Sequence, residues 1–208
     1  MTQYVLINNS VIIWGPDNLP ASWTDDTGTT VLSTLTSDQL IALGWLPYTD
    51  NSSDFDPLTQ ILGSPAITIN SDSVVGTYSP TYLELSQCIL NKTNAVNNYR
   101  DNIFNNGLYF NSNIYDCDET ARSNLAGGVI AAIVNSMTLP SGFTWRTKDN
   151  QNIAFTGTQL VTFGMAVLVY YNGVLATSWY HKDNIIAMTD QATIKAYNFT
   201  TGWPSNGA

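Results

Sequence analysis

The sequence predicts an α+β fold: a β-rich N-terminal module of strands, a short helix and a hairpin, followed by a helical domain carrying two small β-hairpins. Three observations carry that reading. Up to about residue 80, short apolar and β-branched runs are punctuated by Gly, Pro, Asn and Ser. Near Pro80 the apolar period changes from two to 3.6. Two later stretches, GLYFNSNIYDCD and FTWRTKDNQNIAFT, alternate around polar turns inside this otherwise helical half. The domain boundaries read from these patterns are 1–80, 81–200 and a loosely held tail at 201–208.

Taken in order, YVLINN and VIIWG are strands joined through NNS. LTSDQLIALG is a two-turn helix, because Thr36 and Gln39 have the spacing of a capping box and Gly44 supplies a left-handed stop. TQIL, AITI and VVGTY, separated by Gly-Ser-Pro and Asn-Ser-Asp-Ser, read as a small hairpin or meander. Leu85, Ile89, Val96, Tyr99 and Ile103 then form one apolar stripe, which predicts an amphipathic helix ended by Asn106-Gly107. GLYFNSNIYDCD is the first hairpin. Asp118 is placed to cap the next helix, in which Arg122 is spaced to pair with Glu119 or Asp118. Gly127 and Gly128 would let another helix approach closely. FTWRTKDNQNIAFT is the second hairpin, turning at KDNQ. Thr156 and Gln159 repeat the capping-box spacing at the head of a long helix, uncharged from Leu160 to Tyr180, that runs to about Asn184, and Thr189 starts a last short one.

The uncharged run from Leu160 to Tyr180 has the length of a bilayer span. Asn172 lies in its middle and no Lys or Arg cluster marks a cytoplasmic end, so a buried central helix is expected and no membrane partner. MTQYVLINNSVIIWG lacks a basic n-region and a long apolar h-region, so no signal peptide is predicted.

Composition narrows function. Aromatic residues make up 12% of the 208 and charged ones only 11%, less than half of the usual share of about 25%. The surface must therefore be covered by Asn, Thr, Ser and Gln, which suits hydrogen-bonding contact surfaces. A net charge of −9 opposes binding to a phosphate backbone, so nucleic acid is excluded as a partner. Cys88 and Cys117 lack CxxC spacing and read as two buried thiols. His181 is the one histidine, which rules out a two-His metal site within the chain; it reads as a helix-end residue near Lys182. The carboxylate groups Asp25-Asp26, Asp54/Asp56 and Asp116/Asp118/Glu119 fit turns and a helix N-terminus better than catalysis or calcium. No phosphate-binding glycine motif is present, and no enzyme activity, metal or cofactor is predicted.

Trp14, Trp23, Trp45, Trp145, Trp179 and Trp203 could stack on sugar rings, but packing is their ordinary role. In the second hairpin Phe143 and Trp145 alternate inward, which leaves Arg146 and Lys148 outward in an acidic chain. Trp145, Arg146 and Lys148 are the candidate interaction residues, the two cations facing an acidic neighbouring subunit.

The order of elements resembles known viral proteins. LTSDQLIALGWLPYTD, followed by FDPLTQIL and a strand pair ending in VVGTY, resembles the opening module of small bacteriophage tail proteins. The later half is similar to an uncharacterised phage domain family found with tail-fibre and fibre-assembly genes. Its likeness lies in NNYRD, the hairpin GLYFNSNIYDCD, an acid-x-Arg helix start, the WRTKDN hairpin and a Thr-Gly-Thr-Gln-Leu cap. The likeness spans about residues 34 to 200 and implies a tail context with no chemistry to carry over. It implies a virion protein assembled in the host cytoplasm, with other tail, baseplate or fibre proteins as partners and multiple copies in a symmetric assembly. Three functions follow: a structural component of the tail, near the baseplate or a fibre attachment point; a tail-fibre assembly chaperone; or a glycan-binding accessory protein in host adsorption.

Overall fold

NNS at residues 8–10 is the first place where local chemistry dictates the chain path. Asn9 and Ser10 both take positive φ, the geometry of a tight hairpin turn, and join β1 (Gln3–Asn8) to β2 (Val11–Asn18). The computed structural model describes residues 2–52 and 54–207. They form two compact units, Met1–Leu83 and Glu84–Ala208. This division falls three residues beyond the boundary expected at 80, because the strand that begins at Pro80 pairs back into the first unit.

In the first unit, β3 (Ser22–Asp25) and β4 (Gly28–Val31) form a hairpin ahead of α1 (Ser37–Ala42). At α1, Thr36 Oγ1 accepts from the Gln39 amide while Gln39 Oε1 accepts from the Thr36 amide, the expected capping box. Gly44 takes φ 84° as the expected stop. β5 (Trp45–Ser52) pairs with β1 antiparallel. β6 (Gln60–Leu62), β7 (Ala66–Ile69), β8 (Val74–Tyr78) and β9 (Pro80–Tyr82) follow. The hairpin β7–β8 matches the sequence reading, but β8 also joins β5 in parallel, giving a five-stranded sheet in the order β2-β1-β5-β8-β7. Local turn signals cannot report that pairing, which is made across more than twenty residues of chain. Val5, Leu46, Tyr48 and Val74 form one core cluster, and Leu6, Leu32, Leu40 and Trp45 another. Trp14 and Trp23 pack edge-on against Trp45 with ring centroids 5.1 and 5.4 Å away, so three of the six tryptophans are packing residues.

The second unit begins with α2 (Leu85–Asn106). Its buried residues are Cys88, Lys92, Val96 and Phe104, so the core-facing stripe is rotated from the one expected: Val96 belongs to it, whereas Leu85 and Ile89 lie at its margin. Lys92 is buried because its ammonium group serves the carbonyl end of the last helix, donating to the Lys195 carbonyl oxygen. Gly107 ends α2 with φ 80°. The hairpin β10 (Leu108–Phe110) and β11 (Asn113–Tyr115) precedes α3 (Glu119–Val134), capped by Asp118 as expected. The hairpin β12 (Thr144–Arg146) and β13 (Asn152–Ala154) leads into α4 (Gly157–Ile186), headed by the Thr156–Gln159 capping box. α5 (Gln191–Ala196) is capped by Asp190, one residue after the expected Thr189.

The tail is not loose. Trp203 Nε1 donates to the Phe199 carbonyl at 2.7 Å, its ring lies 5.4 Å from Tyr99 and 5.5 Å from His181, and the Tyr109 amide donates to the Asn206 carbonyl at 2.8 Å. The apolar bulk of one tryptophan, placed over a groove of aromatic rings, overrides the turn-prone composition of GWPSNGA. His181 is likewise buried and not a frayed helix-end residue. Its Nε2 bonds to the Thr201 carbonyl at 3.0 Å and its Nδ1 to the Tyr197 hydroxyl at 2.7 Å. A carbonyl can only accept, so in the neutral ring Nε2 carries the proton and Tyr197 donates to Nδ1. Both cysteines are buried, as expected, and among the described residues neither forms a disulfide.

The helical core gathers around α4. Nine of its residues, from Gly157 through Phe163, Val167, Tyr170 and Val174 to Ile185, are buried. The other face departs from the expectation of a helix buried all round: Met165, Leu168, Val169, Trp179 and Tyr180 are exposed. By length and composition α4 is long and apolar enough to cross a membrane.

Candidate protein-contact face

The candidate site is built by α3 and α4, which run antiparallel. Arg122 at the start of α3 lies over Tyr171, whereas Gly128 and Val129 further along it face Leu160 and Gly164 nearer the start of α4. Small residues make the approach possible. A Cβ on Gly128 would meet Leu160 Cδ2 at 3.2 Å, and one on Gly164 would meet Val129 Cγ2 at 2.7 Å, whereas Gly127 has nothing within 4 Å. The expectation of a close helix approach therefore holds at Gly128 and not at Gly127.

Between the two helices runs a groove of about 480 Å³, open along one side, lined by the buried Leu125 and Val167, by small residues at Ala126 and Gly164, and by the exposed Ile130, Ile133, Met165 and Leu168. Ile130 is 63% exposed and Leu168 49%; Val134 and Val169, beside them, are 75% and 68% exposed. Large aliphatic side chains standing together at such exposure are unusual on an isolated chain and mark contact surfaces. Arg122 closes one end. Its guanidinium lies 4.1 Å from the Tyr171 ring centroid and 5.0 Å from that of Phe104, and it donates to the Cys117 carbonyl. Among the described residues it makes no ion pair with Glu119 or Asp118, contrary to the expected pairing, because stacking on two rings and bonding a carbonyl draw it along the groove.

The three residues singled out in the second hairpin do not act together. Trp145 is partly buried, its ring 6.5 Å from Phe163 and packed beside Gly128, which is the inward packing expected of it. Lys148 is used inside the unit: it donates to the Asn105 carbonyl, lies 3.7 Å from Asp116, and its amide donates to the Ile114 carbonyl, so it ties the two hairpins to each other. Arg146 is exposed, and among the described residues its side chain bonds only Asn150, at 3.0 Å. The groove face was not legible in advance, because α4 is apolar on both sides and its pattern gives no favoured direction.

Asp25, Asp56, Asp118 and Asp190 each serve local structure. Asp25 accepts from the Thr27 amide and hydroxyl, and those bonds hold its carboxyl below the usual range. Asp56 bonds the Leu58 amide and Thr59 hydroxyl, and Asp118 and Asp190 are helix caps. Burial pushes the Cys117 thiol up to about 11, which leaves it protonated and a poor nucleophile. Among the described residues no three His, Cys, Asp or Glu side chains gather as a metal site. Trp179, 55% exposed, lies on a separate shallow groove between α2 and α4.

Fold and site together define a protein of α+β class whose helical domain presents an apolar groove between two helices. The chain belongs to the family described as a domain of unknown function (DUF4376), whose model matches residues 90–201, from α2 to just beyond α5. No curated protein and no solved structure matches it.

Proposed function

We propose that this protein is a structural component of a bacteriophage tail, baseplate- or fibre-associated, that works through protein contacts made by the α3–α4 face. The observation that carries the contact role is the apolar groove, which unites the exposed Ile130, Ile133, Met165 and Leu168 on one side of the helical unit. Hydrophobic burial is non-directional and scales with area, so such a face gains free energy from any complementary partner. The tail context rests on the sequence resemblance. The scarcity of charge, 11% of residues, supports it, because a surface of amides and hydroxyls loses less on burial at a subunit contact than one of solvated ions.

Mass spectrometry of purified virions tests the reading. The chain is expected in a fixed, multi-copy ratio to a tail protein. Its absence from virions would refute a structural role, and if fibre yield nevertheless depended on it, the function would pass to the assembly-chaperone reading.

A further inference from the structure

We infer that the occupant of the α3–α4 face is a second copy of this chain, packed through a twofold axis so that two helix pairs meet as a four-helix layer. This rests on the reading of that face as a protein-contact surface and names its partner. The spacing of the exposed positions calls for a helix. On α4, Leu168 and Val169 follow the exposed Met165 at three and four residues, and both are exposed; on α3, the exposed Ala126, Ile130 and Ile133 are separated by four and three. That alternation keeps one row of side chains facing a partner helix.

Three further observations select a copy of this chain. The face is self-complementary, since one surface holds both small residues at Ala126 and Gly164 and large ones at Ile130, Met165 and Leu168; a twofold axis sets the large side chains of each copy against the small ones of the other. Charge does not oppose the contact. The chain carries −9, yet no Asp or Glu lines the groove, and Arg122 lies at its end. Two copies therefore meet where their acidic residues are not. The area is sufficient. Six aliphatic side chains exposed by 49% to 75% offer about 350 Å² of apolar surface per copy, taking about 100 Å² for each one fully exposed. At the usual apolar share of about 57%, the whole contact buries about 1,200 Å² over both copies, at the lower edge of specific interfaces.

Sedimentation velocity on the full chain, from about 1 to about 200 μM, spans the range expected for an interface of this size. The wild type is expected to move from monomer to dimer. Ile130→Glu and Leu168→Glu, each judged folded by an unchanged far-ultraviolet spectrum, are expected to weaken association at least about tenfold. The milder Met165→Ala/Leu168→Ala variant serves if either Glu variant unfolds, and Trp179→Ala, off the groove, is expected to dimerise as the wild type does. A wild type that stays monomeric throughout overturns the inference, and so does a dimer indifferent to these substitutions. A monomer that co-sediments with phosphatidylcholine vesicles assigns the face to lipid and overturns it too. If the wild type is monomeric but the face variants fail to enter virions, the contact reading stands and only the second copy is lost.

Discussion

Alanine at Gly164 and at Gly127 is one chemical change at two places in the same helix pair, and the structure predicts opposite outcomes. In a helix interior Ala is favoured over Gly by about 1 kcal/mol. At Gly127 nothing lies within 4 Å of the added carbon, so Gly127→Ala is expected to stabilise the helical unit by about 0.5–1 kcal/mol. At Gly164 the added carbon would sit 2.7 Å from Val129 Cγ2, and Val129 is itself packed against the core. Overpacking of this kind costs about 1–3 kcal/mol, so after the propensity gain Gly164→Ala is expected to destabilise by about 1 kcal/mol. The two variants should differ by about 2 kcal/mol, close to thirtyfold in the folding equilibrium. Gly157 bounds the series: its added carbon would lie 2.2 Å from the Met137 carbonyl oxygen, and backbone cannot swing away as a side chain can. Urea unfolding followed at 222 nm, with m held constant, reads the order Gly157→Ala below Gly164→Ala below wild type below Gly127→Ala. Equal shifts at Gly127 and Gly164, or a stabilised Gly157→Ala, would refute the close approach of α3 and α4.

Four other outcomes follow from the geometry. Lys148→Ala is expected to lower helical-unit stability by up to about 1 kcal/mol and Arg146→Ala by less than about 0.5, since only Lys148 joins the two hairpins; thermal unfolding of the pair checks this. Asp190 accepts from the Thr193 hydroxyl and amide, which lowers its carboxyl below 3.8. Its contribution is therefore present above the unfolded value and lost as pH falls through the folded one, and Asp190→Asn should flatten that acid limb in a stability–pH series. Cys117 has the opposite sign: with its thiol raised from 9.0 to about 11, its contribution is intact below 9 and eroded as pH climbs toward 11. A thiol reagent at neutral pH should label neither Cys88 nor Cys117 until denaturant is added; rapid labelling of the native chain would contradict their burial.

Most of the fold was legible because it is written in local chemistry. Capping boxes at Thr36 and Thr156, the Asp118 cap, and the turns at Asn9-Ser10 and Asn111-Ser112 each satisfy backbone groups within a few residues, and each lies where the sequence placed it. What escaped depends on partners distant in sequence. The parallel pairing of β5 with β8, the burial of Lys92 beneath the end of α5, and the docking of Trp203 beside Tyr99 and His181 join residues far apart in the chain, and no periodicity encodes them. Arg122 illustrates the same limit. Its neighbours in sequence are acids, but its neighbours in space are Tyr171 and Phe104, brought by two other helices.

The candidate face was hidden for a different reason. A hydrophobic period identifies which side of a helix is buried only when the other side is polar, and α4 alternates by three and four on both sides. Leu160, Phe163, Val167, Tyr170 and Val174 form the inner row; Thr162, Met165, Val169, Asn172 and Ala176 form the outer one. Two such rows on one helix are superfluous for a chain that folds alone, since the inner row already joins Phe104, Tyr115 and Phe155 in a continuous core. Leaving the outer row uncovered costs solubility, and a net charge of −9 placed elsewhere on the surface offsets that cost by repulsion at long range. Contact at this apolar face then needs close approach, which long-range repulsion slows more than it weakens, because screening at physiological salt confines it to about 8 Å. Raising the ionic strength should therefore speed association through the α3–α4 face, whereas a contact made by Arg146 or Lys148 with an acidic neighbour would weaken. Stopped-flow association rates at low and high salt separate the two surfaces, and a rate that falls with salt would move the contact away from the groove and back to the second hairpin.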